Sequence, residues 1–396
     1  MAKSVTQSFK NICTMSLVAA SGEEIPINPE YITAVATDYK YTKNVMPIIY
    51  TMLEVDLNLY DKLITNATDS QVNFKMQSFN ANVSNSIQKN TINDRFLYFV
   101  PTKYNYSQEL KDKNIDRSLY TKDIILGLMK SDLIAQNRTS FNGIWENTDT
   151  ESLLEKITDK IGSPIVMDEI DNVKEYDSFA LPPQSTMANA LDYLFTKDPF
   201  YNTNYIFFLD FDKGYLLNST GKARGNKADN TIIIDIKELG VQETIASGMV
   251  KNGESGATTI YVSQSEANIS LNTTTEKHTN QIVATDTDTM STADLTLLSG
   301  KEDTNRTEFT RATPIGADIR KQALENTSVI LNITKRNINS SIITPDKCYK
   351  IRYDNSYYNS NYGGTYLLVS KNEETVRSDE SFDTITMISF RRIAAQ

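Results

Sequence analysis

The sequence predicts a mainly β chain of the α+β class, and three observations carry that prediction. Apolar and polar residues alternate with a period of two near both ends of the chain. Helical spacing is clearest in the middle. Aromatics are plentiful, with 21 Tyr and 15 Phe against a single Trp. A period of two sends alternate side chains to opposite faces of a sheet, whereas spacings of three and four place them on one stripe of a helix. Aromatic rings suit half-buried pleated surfaces.

The elements follow in order. Cys13, Met15, Leu17 and Ala19 fall on one face of a strand, and Ser21-Gly22 supplies a turn. Lys3 and Lys10 before this run imitate a secretory leader, but Thr14 and Ser16 interrupt the apolar stretch and the strand is the better reading. Ile32, Ala34 and Ala36 alternate with Thr33, Val35 and Thr37, and residues 38–44 look polar and turn-like. From Met46 to Leu59 one long half-buried strand is expected: Met52, Glu54, Asp56 and Asn58 lie on one face, Leu53, Val55, Leu57 and Leu59 on the other. Such length suggests a large antiparallel sheet or a barrel. Phe74–Met76 and Arg95–Val100 continue it.

The character changes near Tyr104. A helix is expected from Thr121, with Asp123 in its first turn and Ile124, Ile125, Leu128, Met129 and Leu133 at helical spacing. Leu153, Leu154 and Ile157 suggest a second. Ser185 is the expected N-cap of a third, with Met187, Ala190, Leu191, Leu194 and Phe195 as its buried stripe. Tyr205–Leu209, a turn, and Tyr215–Leu217 make a hairpin. Strands return at Ile232–Ile234 and Thr258–Val262. Residues 263–313 are rich in Ser, Thr, Asn and Asp and predict an exposed arm or long loop. A short helix at Asp318–Leu324 and strands at Ser328–Thr334, Cys348–Tyr353, Thr365–Val369 and Thr384–Arg391 complete the chain.

Composition narrows the function. The 396 residues point to about two to four domains. The net charge is −10, and Lys222–Arg224–Lys227 and Lys335–Arg336 are short, isolated basic runs, so the counterion-displacing stripe of a nucleic-acid binder is missing. A single histidine, His278, excludes mechanisms needing two imidazoles. It sits in the polar arm between Lys277 and Thr279, a poor place for a catalytic base. Two cysteines, Cys13 and Cys348, make no thiolate zinc site and no C-x-x-C pair; they are buried apolar residues or a disulfide joining the chain ends. No apolar run approaches the ~20 residues of a membrane helix, and sequons such as Asn66-Ala67-Thr68 and Asn332-Ile333-Thr334 carry no special meaning.

Several motifs imitate chemistry. Asp210-Phe211-Asp212-Lys213-Gly214 resembles the start of a calcium loop, but position 12, which should be Glu, is Gly221; a hairpin turn is the expectation. Gly214 to Lys222 imitates a phosphate loop, but six residues separate Gly214 from Gly221 and Ala223 follows Lys222. Glu146 beside Trp145, and Asp168-Glu169, are formal carboxylates for glycan hydrolysis, which needs two acids about 5–10 Å apart. Among 50 acidic residues, solvated surface acids are the plainer reading. Tyr353, Tyr357, Tyr358, Tyr362 and Tyr366, interleaved with Asn355, Asn359 and Asn361, offer either a contact surface for glycan or protein or ordinary loop and strand aromatics. No catalytic, cofactor-binding or metal residue is assigned.

A β unit, a small α+β unit, an excursion and a β return is an order that resembles the baseplate hub of contractile-tailed bacteriophages, related to the first part of type VI secretion spike proteins. Four stretches carry the likeness: Met46–Leu57, Thr121–Met129, Ser185–Phe195 running into Tyr205–Leu209 and Gly214-Tyr215, and Gly364–Val369 with Thr384–Arg392. The polar arm departs from the pattern. The resemblance implies two tube-like β-barrel domains with an inserted small α+β domain and a polar excursion. The first barrel is residues 1–103 and the α+β domain 104–225; the second barrel is 226–262 with 314–396, and the arm is 263–313. It further implies a homotrimer forming a pseudo-sixfold ring, with a central spike protein, a tail tube or tube-initiator protein and other baseplate wedge proteins as partners. Its place would be the tail baseplate of a virion assembled in the host cytoplasm. DNA would be passing cargo only, repelled by an acidic lumen, and there would be no membrane insertion, no cofactor and no catalysis. No lysozyme segment is read, so a spike's enzymatic part is expected on another protein. A host-surface adhesin using the tyrosines, and a cell-wall glycan hydrolase, are the alternatives.

Overall fold

The computed structural model describes residues 9–41, 46–65, 70–80, 89–101, 120–138, 140–159, 162–202, 204–219, 224, 231–238, 249–251, 258–271, 329–378 and 381–395. The elements run β1 (Phe9–Val18), β2 (Glu24–Ile27), β3 (Ile32–Lys40), β4 (Ile48–Asp56), α1 (Leu57–Thr65), β5 (Gln71–Asn80), β6 (Lys89–Phe99) and β7 (Thr121–Lys130). Next come α2 (Ser131–Arg138), β8 (Ser140–Asp149), α3 (Thr150–Asp159), β9 (Ile165–Met167), β10 (Glu175–Thr186), α4 (Met187–Lys197), β11 (Tyr205–Leu209) and β12 (Gly214–Asn218). The remainder is β13 (Thr231–Lys237), β14 (Met249–Lys251), β15 (Thr258–Ser263), β16 (Ala267–Leu271), β17 (Val329–Arg336), β18 (Cys348–Tyr353), α5 (Ser356–Tyr362), β19 (Gly364–Ser378) and β20 (Ser381–Ala395). The chain is mainly β, as the alternation predicts.

Fifteen strands join one sheet, in the order β14-β15-β13-β18-β19-β3-β4-β7-β6-β5-β1-β20-β17-β16, with β2 on β1. Because β19 also pairs with β20, the path from β19 through β3, β4, β7, β6, β5 and β1 to β20 returns on itself. The β1–β20 link in this circuit is the single register pair Asn11↔Phe382. The long β19–β20 hairpin is shared. Its distal part pairs with β3 from Ser370 to Val376, and its proximal part pairs with β18 from Gly364 to Leu367. A register shift between Leu368 and Ser370 marks the change of neighbour, which is what a bulge does to a strand that must turn from one surface to another. Pairing is mostly antiparallel, but β13 runs parallel to both β15 and β18.

Two apolar cores follow from this path, and a third lies off it, beside the β10-β8 pair and the β11-β12-β9 sheet. The first, within the circuit, holds Cys13, Leu17, Leu53, Phe74, Phe96 and Leu126, with Phe382 from the hairpin tip. The second holds Ile234, Leu331, Tyr349, Ile351 and Tyr366, with Phe390 from the hairpin base. The third joins α3, α4, β10 and β11 through Leu153, Met187, Leu191, Leu194, Phe200 and Tyr205.

Local chemistry explains where the expectations were met and where they failed. β1 buries Cys13, Met15 and Leu17 as alternation requires, and Gly22 turns the chain at φ +86°, a conformation open to glycine. The expected strand through Leu59 ends at Asp56. The Asp56 carboxylate accepts the backbone N–H groups of Asn58 (2.8 Å) and Leu59 (2.9 Å), so it caps α1 and sends Leu57, Leu59, Tyr60 and Leu63 into the core on a helix. The expected helix at Thr121 is instead β7. Ile124, Leu126 and Leu128 also alternate, and β7 pairs with β4 from Thr121 to Leu128 and with β6 from Gly127 to Lys130. Long-range pairing overrode the helical spacing, and the helix there begins only at Ser131.

Smaller corrections have the same character. Residues 38–41 are not a polar turn: β3 continues to Lys40, and Tyr39 and Tyr41 are buried. The N-cap of α4 is Thr186, whose Oγ1 accepts from Asn189 N (3.3 Å), while Ser185 donates to the Pro182 carbonyl. Residues 263–271 of the expected arm form the end of β15, a 3-10 turn with a capping box, and β16 paired to β17. The rest of the arm, its His278 and the expected helix at Asp318–Leu324 lie outside the described residues.

Candidate functional site: a charged junction between three cores

The β11–β12 hairpin is buried on both faces. Phe207, Leu209 and Leu216 enter the third core, whereas Phe208, Tyr215 and Leu217 enter the second. Its turn, Asp210–Gly214, closes through Asp210 N to the Lys213 carbonyl (2.8 Å). It is the hairpin turn expected of the calcium-loop look-alike. Phe211 at its tip packs against both the first and second cores, with its ring 6.0 Å from Phe96 and 6.3 Å from Tyr39. Lys130 of β7 donates to the Phe211 carbonyl (2.5 Å) and pairs with Asp94 of β6 (3.1 Å). The turn therefore bridges the first and second cores, and the strands that carry it enter the second and third.

A cavity of about 360 Å³ opens beside this turn, between it, the inner face of β19 and the Ser340–Ile342 segment. Lys371 and Glu373, both buried, form an ion pair at 3.0 Å on that inner face. The Lys371 ammonium also sits 4.2 Å from the Tyr39 ring centroid and donates to the Ser340 carbonyl (3.3 Å), so one cation is served by charge, ring face and carbonyl together. Burial pushes the Asp210 carboxyl up to about 6; Lys371 opposes the shift, and Asp212 and Glu373 add to it. Burial also holds the Tyr39 and Tyr41 phenols well above their ordinary value. Among the described residues, no group of three His, Cys, Asp or Glu side chains could hold a metal ion.

Behind the junction, Arg224 is buried and contacts Asp168 (Nε to Oδ2, 2.9 Å) while donating to the carbonyls of Pro345 and Asn218. Asp168 also accepts from Asn218 N (2.8 Å). This tie joins the β9–β12 region to the segment before β18.

The carboxylates weighed for hydrolysis have different surroundings. Glu146 is exposed on the β8–β10 ribbon, Glu169 is exposed, and Asp168 is committed to Arg224 and Asn218. Gly221 and Lys222 of the phosphate-loop look-alike lie outside the described residues. The tyrosines form no open platform. Tyr353 and Tyr366 are buried, Tyr358 stacks on Tyr353 at 5.9 Å, and Tyr357 alone of the five is exposed. Asn355 caps α5 by accepting from Tyr357 N and Tyr358 N, and Asn359 accepts from Tyr353 N. Cys13 and Cys348 are both buried and free, so the disulfide alternative is not formed.

The outer face of the circuit carries a second feature that sequence reasoning missed. Val376, Ala34, Met52 and Ile125 are register partners in succession across β19, β3, β4 and β7. Val376, Met52 and Ile125 are 44%, 39% and 37% exposed. The next row holds Tyr50, also exposed, opposite Gly127, which the Phe99 ring covers. Beyond Ile125 the exposed acids Glu54 and Asp123 stand directly opposite each other. A contiguous apolar row on a sheet face differs from scattered exposed side chains, because it offers a surface that another body can cover. The signal was present as the even positions of β4, but only cross-strand register shows that four strands line them up.

The fold and the junction define a mainly β protein in which buried charged residues tie elements together. The chain belongs to the phage family described as Bacteriophage PBS1 gene 109 protein, whose model matches residues 2–393. No curated protein sequence matches it. Among solved structures it is similar to the tail protein of Neisseria meningitidis MC58 (10% identity, TM-score 0.45, covering 95% of this chain and 96% of that one). It is similar also to the 43 kDa tail protein of prophage MuSo2 from Shewanella oneidensis (10% identity, TM-score 0.45, covering 96% and 98%). A third is the E. coli c3393 protein, described as a component of the type VI secretion system (9% identity, TM-score 0.38, covering 90% and 73%). No helix among the described residues is long and apolar enough to cross a membrane.

Proposed function

We propose that the chain is a non-catalytic hub of a contractile phage tail, working as a homotrimer in the baseplate of a virion assembled in the host cytoplasm. Each copy would supply two tube-like β-barrel units. The first is the closed circuit centred on residues 1–103 and completed by β7 and the hairpin tip; the second is built from 226–262 and 314–396. The α+β unit within 104–225 would brace them. Three copies would then present six units to a hexameric tail tube or its initiator protein on one side and a threefold central spike on the other. Wedge proteins would lie outside and DNA would pass through.

The observation that carries this reading is the exposed apolar row Val376–Ala34–Met52–Ile125, set on a sheet that returns on itself. Closing a sheet removes the edges that would aggregate, so association falls to faces. Closed cyclic symmetry then limits it to a finite ring. Membership of a phage family supports the same reading.

Light scattering of the purified chain tests it. A species near three times 44.6 kDa is expected, imaged as a ring with a channel. A chain that stays single at high concentration, or that releases reducing sugar from purified cell wall, overturns it.

A further inference from the structure

The Asp210–Gly214 turn holds more charge than closing a hairpin requires. We propose that it is a proton-operated latch: protonation of Asp210 seats the turn between the first and second cores, and ionisation loosens it. This inference does not depend on the oligomeric state.

The geometry supplies the parts. Phe211 is the wedge that enters two cores. Asp210 precedes it and accepts the Phe211 N–H at 2.7 Å, so its charge and the seat of the wedge are one chain link apart; that bond and Lys371 favour the ionised carboxylate, and burial with the Asp212 and Glu373 charges outweighs them. The groups facing Asp210 come from every neighbouring element. Its own turn contributes Asp212 and Lys213, β19 contributes Lys371 and Glu373, β3 contributes Tyr39 and Tyr41, and β12 contributes Tyr215. Lys130 and Asp94 stand behind the Phe211 carbonyl. The Lys371 cation is already engaged by Glu373 and the Tyr39 ring. Lys213 lies 5.2 Å from the Tyr215 ring centroid. An ionised Asp210 thus adds a further negative charge beside Glu373 and Asp212, in a cavity where the Lys371 cation is shared between Asp210 and Glu373. The tyrosines are held protonated by burial and do not titrate in the same window.

The sign follows. The seated turn binds the Asp210 proton more tightly than an opened turn does, with a value of about 6 against an ordinary 3.8. Opening should therefore be roughly tenfold rarer at about pH 5 than at about pH 8.

Hydrogen exchange of peptides spanning 205–218 in the full chain, corrected for intrinsic rates, reads this opening between pH 5 and pH 8. The wild type should show the tenfold change, and Asp210→Asn should show none. Asp212→Asn, at an exposed position, should keep the change with its midpoint moved to lower pH, because one repelling charge is gone. Opening that is flat in the wild type, a pH response that survives in Asp210→Asn, or a midpoint unmoved in Asp212→Asn overturns the proposal.

Discussion

Arg224 reaches Asp168 with Nε 2.9 Å from Oδ2, and the two side chains keep only 5% and 6% of their surface. The contact is off the hydrogen-bond axis and acts through charge; the guanidinium spends its other donors on the carbonyls of Pro345 and Asn218. Removing one partner strands the other as a buried charge. Arg224→Met should cost about 3–5 kcal/mol, whereas Arg224→Met with Asp168→Leu should cost clearly less. Denaturant unfolding of both variants checks this; equal losses would mean that the pair is not coupled.

Asp210 gives global stability a pH slope. Its value is raised from 3.8 to about 6, so its contribution is fullest below pH 4 and is lost as pH rises through 6. The swing is up to about 3 kcal/mol at ~1.4 kcal/mol per pKa unit, and less where solvent reaches the carboxyl. Urea unfolding between pH 4 and pH 7 should show a flatter dependence for Asp210→Asn than for the wild type.

The apolar row separates folding from assembly. Met52→Glu and Ile125→Glu change exposed positions on β4 and β7, so monomer stability should move by no more than about 0.5 kcal/mol. Scattering mass should fall to that of one chain. A mass unchanged by both substitutions would remove this face from the interface.

Gly127 is set by contact. A Cβ there would come within 2.3 Å of the Phe99 ring, so the ring or the strand must shift. Gly127→Val should cost about 1–3 kcal/mol, and Gly127→Val with Phe99→Ala should relieve part of that strain. Thermal unfolding of the two variants compares them.

The thiols should be inert while the chain is folded. Burial pushes Cys13 up to about 12 and Cys348 up to about 11, and the thiolate is the reactive form. A disulfide reagent at neutral pH should modify both only after denaturant is added. Rapid modification of either thiol in the folded chain would contradict the buried placement.

Much of the fold was legible in the residues. Alternation in β1, in β4 up to Asp56, and in the strands near the C-terminus was local information, as was the α4 stripe from Met187 to Phe195. The failures cluster where two readings were locally equal. Ile124 to Met129 satisfies both periods, and pairing with β4 and β6 chose the strand. Asp56 looked like one more outward polar residue until its carboxylate was seen to cap α1. Nothing in the sequence marks Lys371 and Glu373 as buried, since charged side chains are rarely so; the shift at Leu368–Ser370 resets which side chains of β19 face inward.

The amino-acid order alone determined that the chain is mainly β, that α3 and α4 carry helical stripes, and that both cysteines suit apolar surroundings, because these follow from side-chain period and transfer preference over a few neighbours. Only the tertiary structure decided that one hairpin serves the second and third cores, that Phe211 at its tip bridges the first and second beside a half-buried carboxyl, and that Val376, Ala34, Met52 and Ile125 form one row. Those facts depend on strand register between segments hundreds of residues apart, and no local propensity encodes a register.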